Sequence, residues 1–114
     1  MSADCLFCKI AAQQIPAKIV FEDADVFAFA DINPQAPTHL LICPKRHFAS
    51  LAEAQASDQA VLGRMALVAA ELARERKLEG GYRTIVNTGA GAGQTVFHIH
   101  MHLLGGRMFH WPPG

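Results

Sequence analysis

The chain has 114 residues, 51% of them hydrophobic, with ten basic and ten acidic side chains and a formal net charge of zero. That is material for one core and a single domain over 1–114. The charge balance argues against a nucleic-acid coat or a membrane-surface binder, both of which need a basic excess.

No apolar run reaches the roughly 18 to 20 residues of a membrane span. Met1-Ser2-Ala3-Asp4-Cys5 has neither a basic n-region nor an apolar h-region, so no signal peptide is expected and the cytoplasm is the expected location. Three cysteines, an odd number, fit a reducing compartment better than a disulfide framework.

In chain order, Asp4 can cap a short helix over Cys5 to Gln13, where Leu6, Phe7, Ile10 and Ala11 recur at helical spacing and Pro16 prevents continuation. Lys18 to Glu22 reads as a strand, Asp23-Ala24-Asp25 as a turn and Val26 to Asp31 as the returning strand of a hairpin. Two prolines make Asn33 to Pro37 a loop, and His39 to Cys43 is a third strand closed by Pro44.

Ser57 is the expected cap of a long helix to about Leu78, with Val61, Met65, Val68 and Leu72 as its buried stripe. Asp58 suits its positive end, Arg74, Arg76 and Lys77 its negative end, and Gly80-Gly81 its termination. Tyr82 to Thr88 is a fourth strand, Gly89 to Gly93 a flexible loop, Val96 to Leu104 a fifth strand, and the tail from Gly105 is irregular. Short connections imply an α+β fold: a five-stranded antiparallel sheet, one short N-terminal helix and one long central helix, with the helices expected on one face.

The chemistry concentrates in His98-Ile99-His100-Met101-His102-Leu103-Leu104. Strand alternation turns the three histidines one way and Ile99, Met101 and Leu103 into the core. Such a face can ligate a metal. Alternatively, the middle ring is a nucleophile whose neighbours fix its tautomer and relay protons. Gly89, Gly91 and Gly93 can bring backbone N–H groups close to an anion, and Gln94 and Thr95 can add side-chain donors. Taken together, the loop and the histidine face point to phosphorus chemistry.

This segment resembles the alternating His-φ-His-φ-His-φ-φ signature of the histidine-triad superfamily. Ile15-Pro16-Ala17-Lys18, Phe21-Glu22-Asp23, the run Asp31 to His39, Gly81-Tyr82-Arg83, Gly93-Gln94, Gly105-Gly106-Arg107 and the tail His110 to Gly114 closely resemble its Hint branch, the histidine-triad nucleotide-binding proteins. The resemblance covers nearly the whole chain. It implies a homodimer and hydrolysis of purine nucleoside phosphoramidates, typically adenosine monophosphate linked to an amine, through a nucleotidyl-histidine intermediate. By the same resemblance His100 is the nucleophile, His102 contacts the phosphate, and His98 and His39 support a proton relay.

Carried over position by position, Asp31 accepts the ribose hydroxyls. Leu6, Phe7, Ile10, Phe29 and Ile32 wall the base, while Asn87, Gly93, Gln94, Thr95 and Val96 lie on the phosphate side. Trp111, stiffened by Pro112-Pro113, reaches the partner's site in this reading. No cofactor is implied for the chemistry itself.

The chain departs from the Hint pattern at two places. Thr95 stands where Hint proteins commonly have Ser. Cys5-x-x-Cys8 is similar to the N-terminal zinc motif of other triad proteins, which implies a structural zinc on Cys5, Cys8, His47 and His98. The alternative is that the two cysteines are small helix residues and His47 faces solvent. Cys43, within a strand, reads as buried packing.

Overall fold

The computed structural model describes residues 4–114; the expectation for Met1 to Ala3 lies outside them. Five strands, β1 (Ile19–Glu22), β2 (Val26–Ala30), β3 (Thr38–Pro44), β4 (Tyr82–Ile85) and β5 (Met101–Gly105), form one antiparallel sheet in the order β1-β2-β3-β5-β4. Two helices accompany it, α1 (Leu6–Ala11) and α2 (Gln59–Glu75).

The helices lie on opposite faces of the sheet, not on one as the sequence led us to expect. Val26, Ala28, Leu40, Ile42 and Leu103 pack with Met65, Val68 and Leu72 of α2. The alternate residues Phe27, Phe29, Leu41 and Cys43 pack with Phe7, Cys8 and Ile10 of α1. The reason is legible in β2 and β3, which are buried almost without interruption. A strand apolar on both faces needs a cover on both. Cys43 is fully buried here, and burial pushes its thiol well above the ordinary range. Among the described residues, no helix is long and apolar enough to cross a membrane.

Three boundaries differ from expectation. Cys5, not Asp4, is the N-cap residue of α1: its Sγ accepts from the Cys8 amide at 3.4 Å. At α2, the Asp58 carboxylate accepts from the Gln55 amide at 2.9 Å and closes a capping box one short turn before the helix, the place expected for Ser57. The helix ends before Gly80-Gly81, because Lys77 takes the left-handed position with φ 57°. The Leu78 amide then bonds Ala73 and the Lys77 amide bonds Arg74, which completes a Schellman motif.

The last strand is shorter than expected, starting at Met101 instead of Val96. Its ladder on β3 ends at Ile42 opposite Met101. Pro44 has no N–H to extend it, and the Pro44 carbonyl is taken by the His98 ring. β4 stops at Ile85, opposite His102, and does not reach Thr88. His98 and His100 therefore sit in irregular chain just before β5, anchored by the Ile99 amide on the Phe48 carbonyl at 2.8 Å.

Candidate active site and metal centre

A cavity of about 400 Å³ opens between α1 and the sheet. Leu6, Phe7 and Ile10 of α1 form one wall, and Phe29, Asp31 and Ile32 form another. Thr95, Val96, His100 and His102 close it on the remaining side. Eight of the expected nucleotide-pocket residues thus share one hollow with two of the triad histidines. Ile15, Pro16, Ala17, Ala30 and Leu41 also line it. In the sequence the run Ile15-Pro16-Ala17 carries part of the family resemblance and no site role. α1 ends earlier, at Ala11, where Gln13 turns left-handed with φ 60° and the Gln14 amide bonds the Lys9 carbonyl, and the run follows that turn.

Hydrogen bonding fixes the state of each ring. A carbonyl can only accept, so His100 Nδ1–H donates to the His98 carbonyl at 2.8 Å. In the neutral ring Nε2 therefore keeps its lone pair. Burial pushes the His100 pKa below the ordinary range, against the opposing pull of the His98 carbonyl and Asp31, so the ring is neutral at pH 7. Phe7 meets it edge-on, with ring centroids 4.9 Å apart at 87°.

His39 is read the same way. The Gln35 amide donates to its Nδ1 at 3.0 Å, so the proton of a neutral ring is on Nε2. Burial lowers the His39 pKa, with Asp31 opposing, and the ring is neutral. His39 Nε2 lies 2.9 Å from His102 Nδ1 and 3.4 Å from Asp31 Oδ2; the nearer atom takes the hydrogen bond. His102 Nδ1 is then an acceptor, and its N–H is Nε2–H. The pairing follows from register. Leu41 faces His102 and His39 faces Leu104, so His39 and His102 are diagonal neighbours across β3 and β5.

The Asp31, His39 and His102 ligand atoms lie within 4.8 Å of one another, as a metal site would require. The Gln35 amide argues against that use. It holds His39 in the tautomer whose Nε2 carries hydrogen, leaving no lone pair there for a cation. The geometry is that of a directional hydrogen-bond chain.

Four expected residues are placed elsewhere. Gln94 is buried, and its amide ties the glycine loop shut: Nε2 donates to Ala49 and Val96 carbonyls at 2.7 and 3.1 Å, while Oε1 accepts from the Gly89 amide at 2.9 Å. It is not a spare phosphate donor. Inside the same loop, the amides of Ala92, Gly93 and Gln94 bond the carbonyls of Gly89 and Ala90, so these N–H groups are not free for an anion either. Gly93 and the half-buried Asn87 do not line the cavity.

His98 is the fourth. It is fully buried and absent from the cavity lining, so a proton-relay role does not suit it. Its Nε2–H donates to the Pro44 carbonyl at 2.7 Å, which leaves Nδ1 with a lone pair. That nitrogen faces Cys5 Sγ at 3.3 Å, Cys8 Sγ at 3.5 Å and His47 Nδ1 at 3.1 Å, and Cys8 Sγ lies 3.5 Å from His47 Nδ1. A tetrahedral zinc with nitrogen at about 2.0 Å and sulfur at about 2.3 Å separates its donors by about 3.3 to 3.8 Å. The known separations, 3.1 to 3.5 Å, lie close to the edges of that tetrahedron, and the His98 lone pair faces two sulfurs and a second imidazole nitrogen at once. Cys5, Cys8, His47 and His98 fit structural zinc.

The HIT domain profile matches residues 12–109. An uncharacterised HIT-like protein of Synechococcus elongatus is 52% identical over 114 residues, the full length of both chains. The 14 kDa zinc-binding protein of Zea mays is 49% identical over 111 residues, covering 96% of this chain and 87% of its own. Among solved structures, a HIT family hydrolase from Legionella pneumophila aligns with a TM-score of 0.95 and 53% identity, over 97% of this chain and 100% of that one.

Proposed function

The chain belongs to the HIT family, and from that premise we propose that it is a purine nucleoside phosphoramidase working through a nucleotidyl-histidine intermediate on His100. One observation carries the reading: His100 Nδ1–H is committed to the His98 carbonyl, so Nε2 is an unprotonated nucleophile in a ring that lines the cavity.

In this reading the base lies against Phe7, Ile10 and Phe29, and the ribose hydroxyls donate to Asp31. One Asp31 oxygen already accepts from the Asn33 amide at 2.8 Å, which holds the carboxylate in place. His100 Nε2 attacks the α-phosphorus and the phosphorus–nitrogen bond to the amine breaks. His102 Nε2–H donates to a phosphoryl oxygen and stabilises charge there. With that N–H and the one on His39 both spent, the leaving nitrogen takes its proton from solvent at the cavity mouth, where Ile32 and Thr95 are exposed. Water then attacks the intermediate: its hydroxyl stays on phosphorus, its other proton passes to solvent, and the bond to His100 Nε2 breaks to release the nucleoside monophosphate.

We take the working unit to be one domain over 1–114 in a cytoplasmic homodimer. Two features support the dimer. β4 is an edge strand with a free side. Trp111 is 83% exposed and lines no part of its own chain's cavity, as suits a tail that reaches a partner's site. Zinc at the Cys5, Cys8, His47 and His98 set, when bound, supplies a rigid crosslink, and the Zea mays relative is named for binding zinc. The test is pre-steady-state release of amine from an adenosine phosphoramidate. A burst equal to the enzyme concentration, absent in His100→Ala, is expected; linear release or an active His100→Ala counts against the mechanism.

A further inference from the structure

We infer that Cys5 and Cys8 are a redox pair whose oxidation to a disulfide expels the zinc and unfastens α1 from the nucleotide cavity. This rests on the structural-zinc reading and adds a means of regulating that site.

The geometry needs little movement. Cys5 is the N-cap residue of α1, with extended backbone at φ −79° and ψ 121°, and Cys8 is in the first turn. The Cys8 amide hydrogen-bonds Cys5 Sγ, so that sulfur already lies over the turn that carries its partner. The two sulfurs are within 4.8 Å of each other. A disulfide needs about 2 Å, and side-chain rotation inside a single helical turn supplies most of the difference. Cys43 is outside this cluster, wholly enclosed between the strands and α1.

Take hydrogen peroxide as the oxidant. One zinc-bound thiolate attacks a peroxide oxygen, the oxygen–oxygen bond breaks, and a sulfenic acid forms. The second sulfur attacks the first and displaces its oxygen. The two thiolates lose two electrons, and the peroxide becomes two waters with two protons from solvent. Zinc, left with only His47 and His98, departs as the hydrated ion.

The consequence follows from what α1 carries. A helix of six residues does not hold its own shape in water. It is held by burial of Phe7, Cys8 and Ile10 and by the ligand cluster that ties it to His47 and His98. Phe7 and Ile10 are cavity walls, and the Phe7 ring meets both His98 and His100 edge-on. Freeing the cluster therefore loosens the base side of the pocket.

The experiment titrates the zinc-loaded full chain with hydrogen peroxide and follows zinc release with a chromogenic chelator. Peptide mass mapping locates the oxidised cysteines, and calorimetry measures AMP binding. One zinc ion should leave for each pair of thiols lost, with Cys5 and Cys8 joined in one peptide. AMP should then bind several-fold more weakly, with recovery on adding a thiol reductant and zinc, and Cys43→Ser should behave like the parent. The inference is overturned if zinc stays, if Cys5 and Cys8 end as separate sulfinic acids, or if the disulfide form binds AMP as tightly as the reduced one. Zinc content before oxidation tests the zinc reading separately. In a chain that proves metal-free, failure to form the disulfide still overturns the pairing.

Discussion

A single backbone amide, that of Gln35, decides what His39 and His102 can do. By donating to His39 Nδ1 it sends that ring's proton toward His102 and leaves the His102 proton on Nε2. The same enclosure sets a pH dependence. Burial, with His100 and His39 nearby and Asp31 opposing, lowers the His102 pKa from 6.5 to about 4. In the unfolded chain the ring takes up a proton as pH falls through 6.5, while in the folded chain it stays neutral until about 4. The unfolded state thus binds more protons across that window, so stability rises with pH there. Its contribution is complete above pH 6.5 and is lost as pH falls to 4. Denaturant midpoints between these limits should drop on acidification, and His102→Gln should flatten the drop. An unchanged slope in the variant would remove His102 as a cause.

At the scale of elements, close packing does what the sequence pattern only hints at. A side chain on Gly105 would place its Cβ 2.6 Å from Leu78, the residue that closes the Schellman turn and packs against the α2 side of the core. Gly105→Val should cost about 1 to 3 kcal/mol by overpacking, read as a lower denaturation midpoint; a neutral result would mean Leu78 moves aside freely.

The elements also show what was legible in advance. Short apolar runs bounded by turn residues located all five strands, and apolar residues at helical spacing located both helices. These signals did not locate their ends. The start of β5 depends on Pro44, distant in sequence, and the end of α2 depends on Lys77 adopting a conformation usual for glycine. The cavity-lining histidines and Asp31 were legible as a motif. The inward turn of Gln94 was not, since nothing in Gly-Gln-Thr says whether an amide faces a ligand or its own loop. His98 was legible in both proposed roles, and only the Pro44 carbonyl and the Cys5–Cys8–His47 cluster decide between them.

For the whole molecule, the sheet has a helix on each face, and the two faces do different work. The α2 side is an apolar core with no catalytic group among its described members. The α1 side holds the cavity, the hydrogen-bond chain and the zinc ligands. In the proposed dimer the edge of β4 and the exposed tail meet the second copy. Sedimentation should give the mass of two chains, and truncation before His110 should change preference among amine leaving groups while leaving AMP affinity intact. A monomer with the parent's preferences would contradict that assembly.

The central claim is a covalent bond between His100 and phosphorus. Mass spectrometry of enzyme quenched during turnover of an adenosine phosphoramidate tests it directly. An adenylyl adduct mapped to His100, absent from His100→Ala, is expected. An adduct on another residue, or turnover with no adduct at any quench time, would contradict that claim.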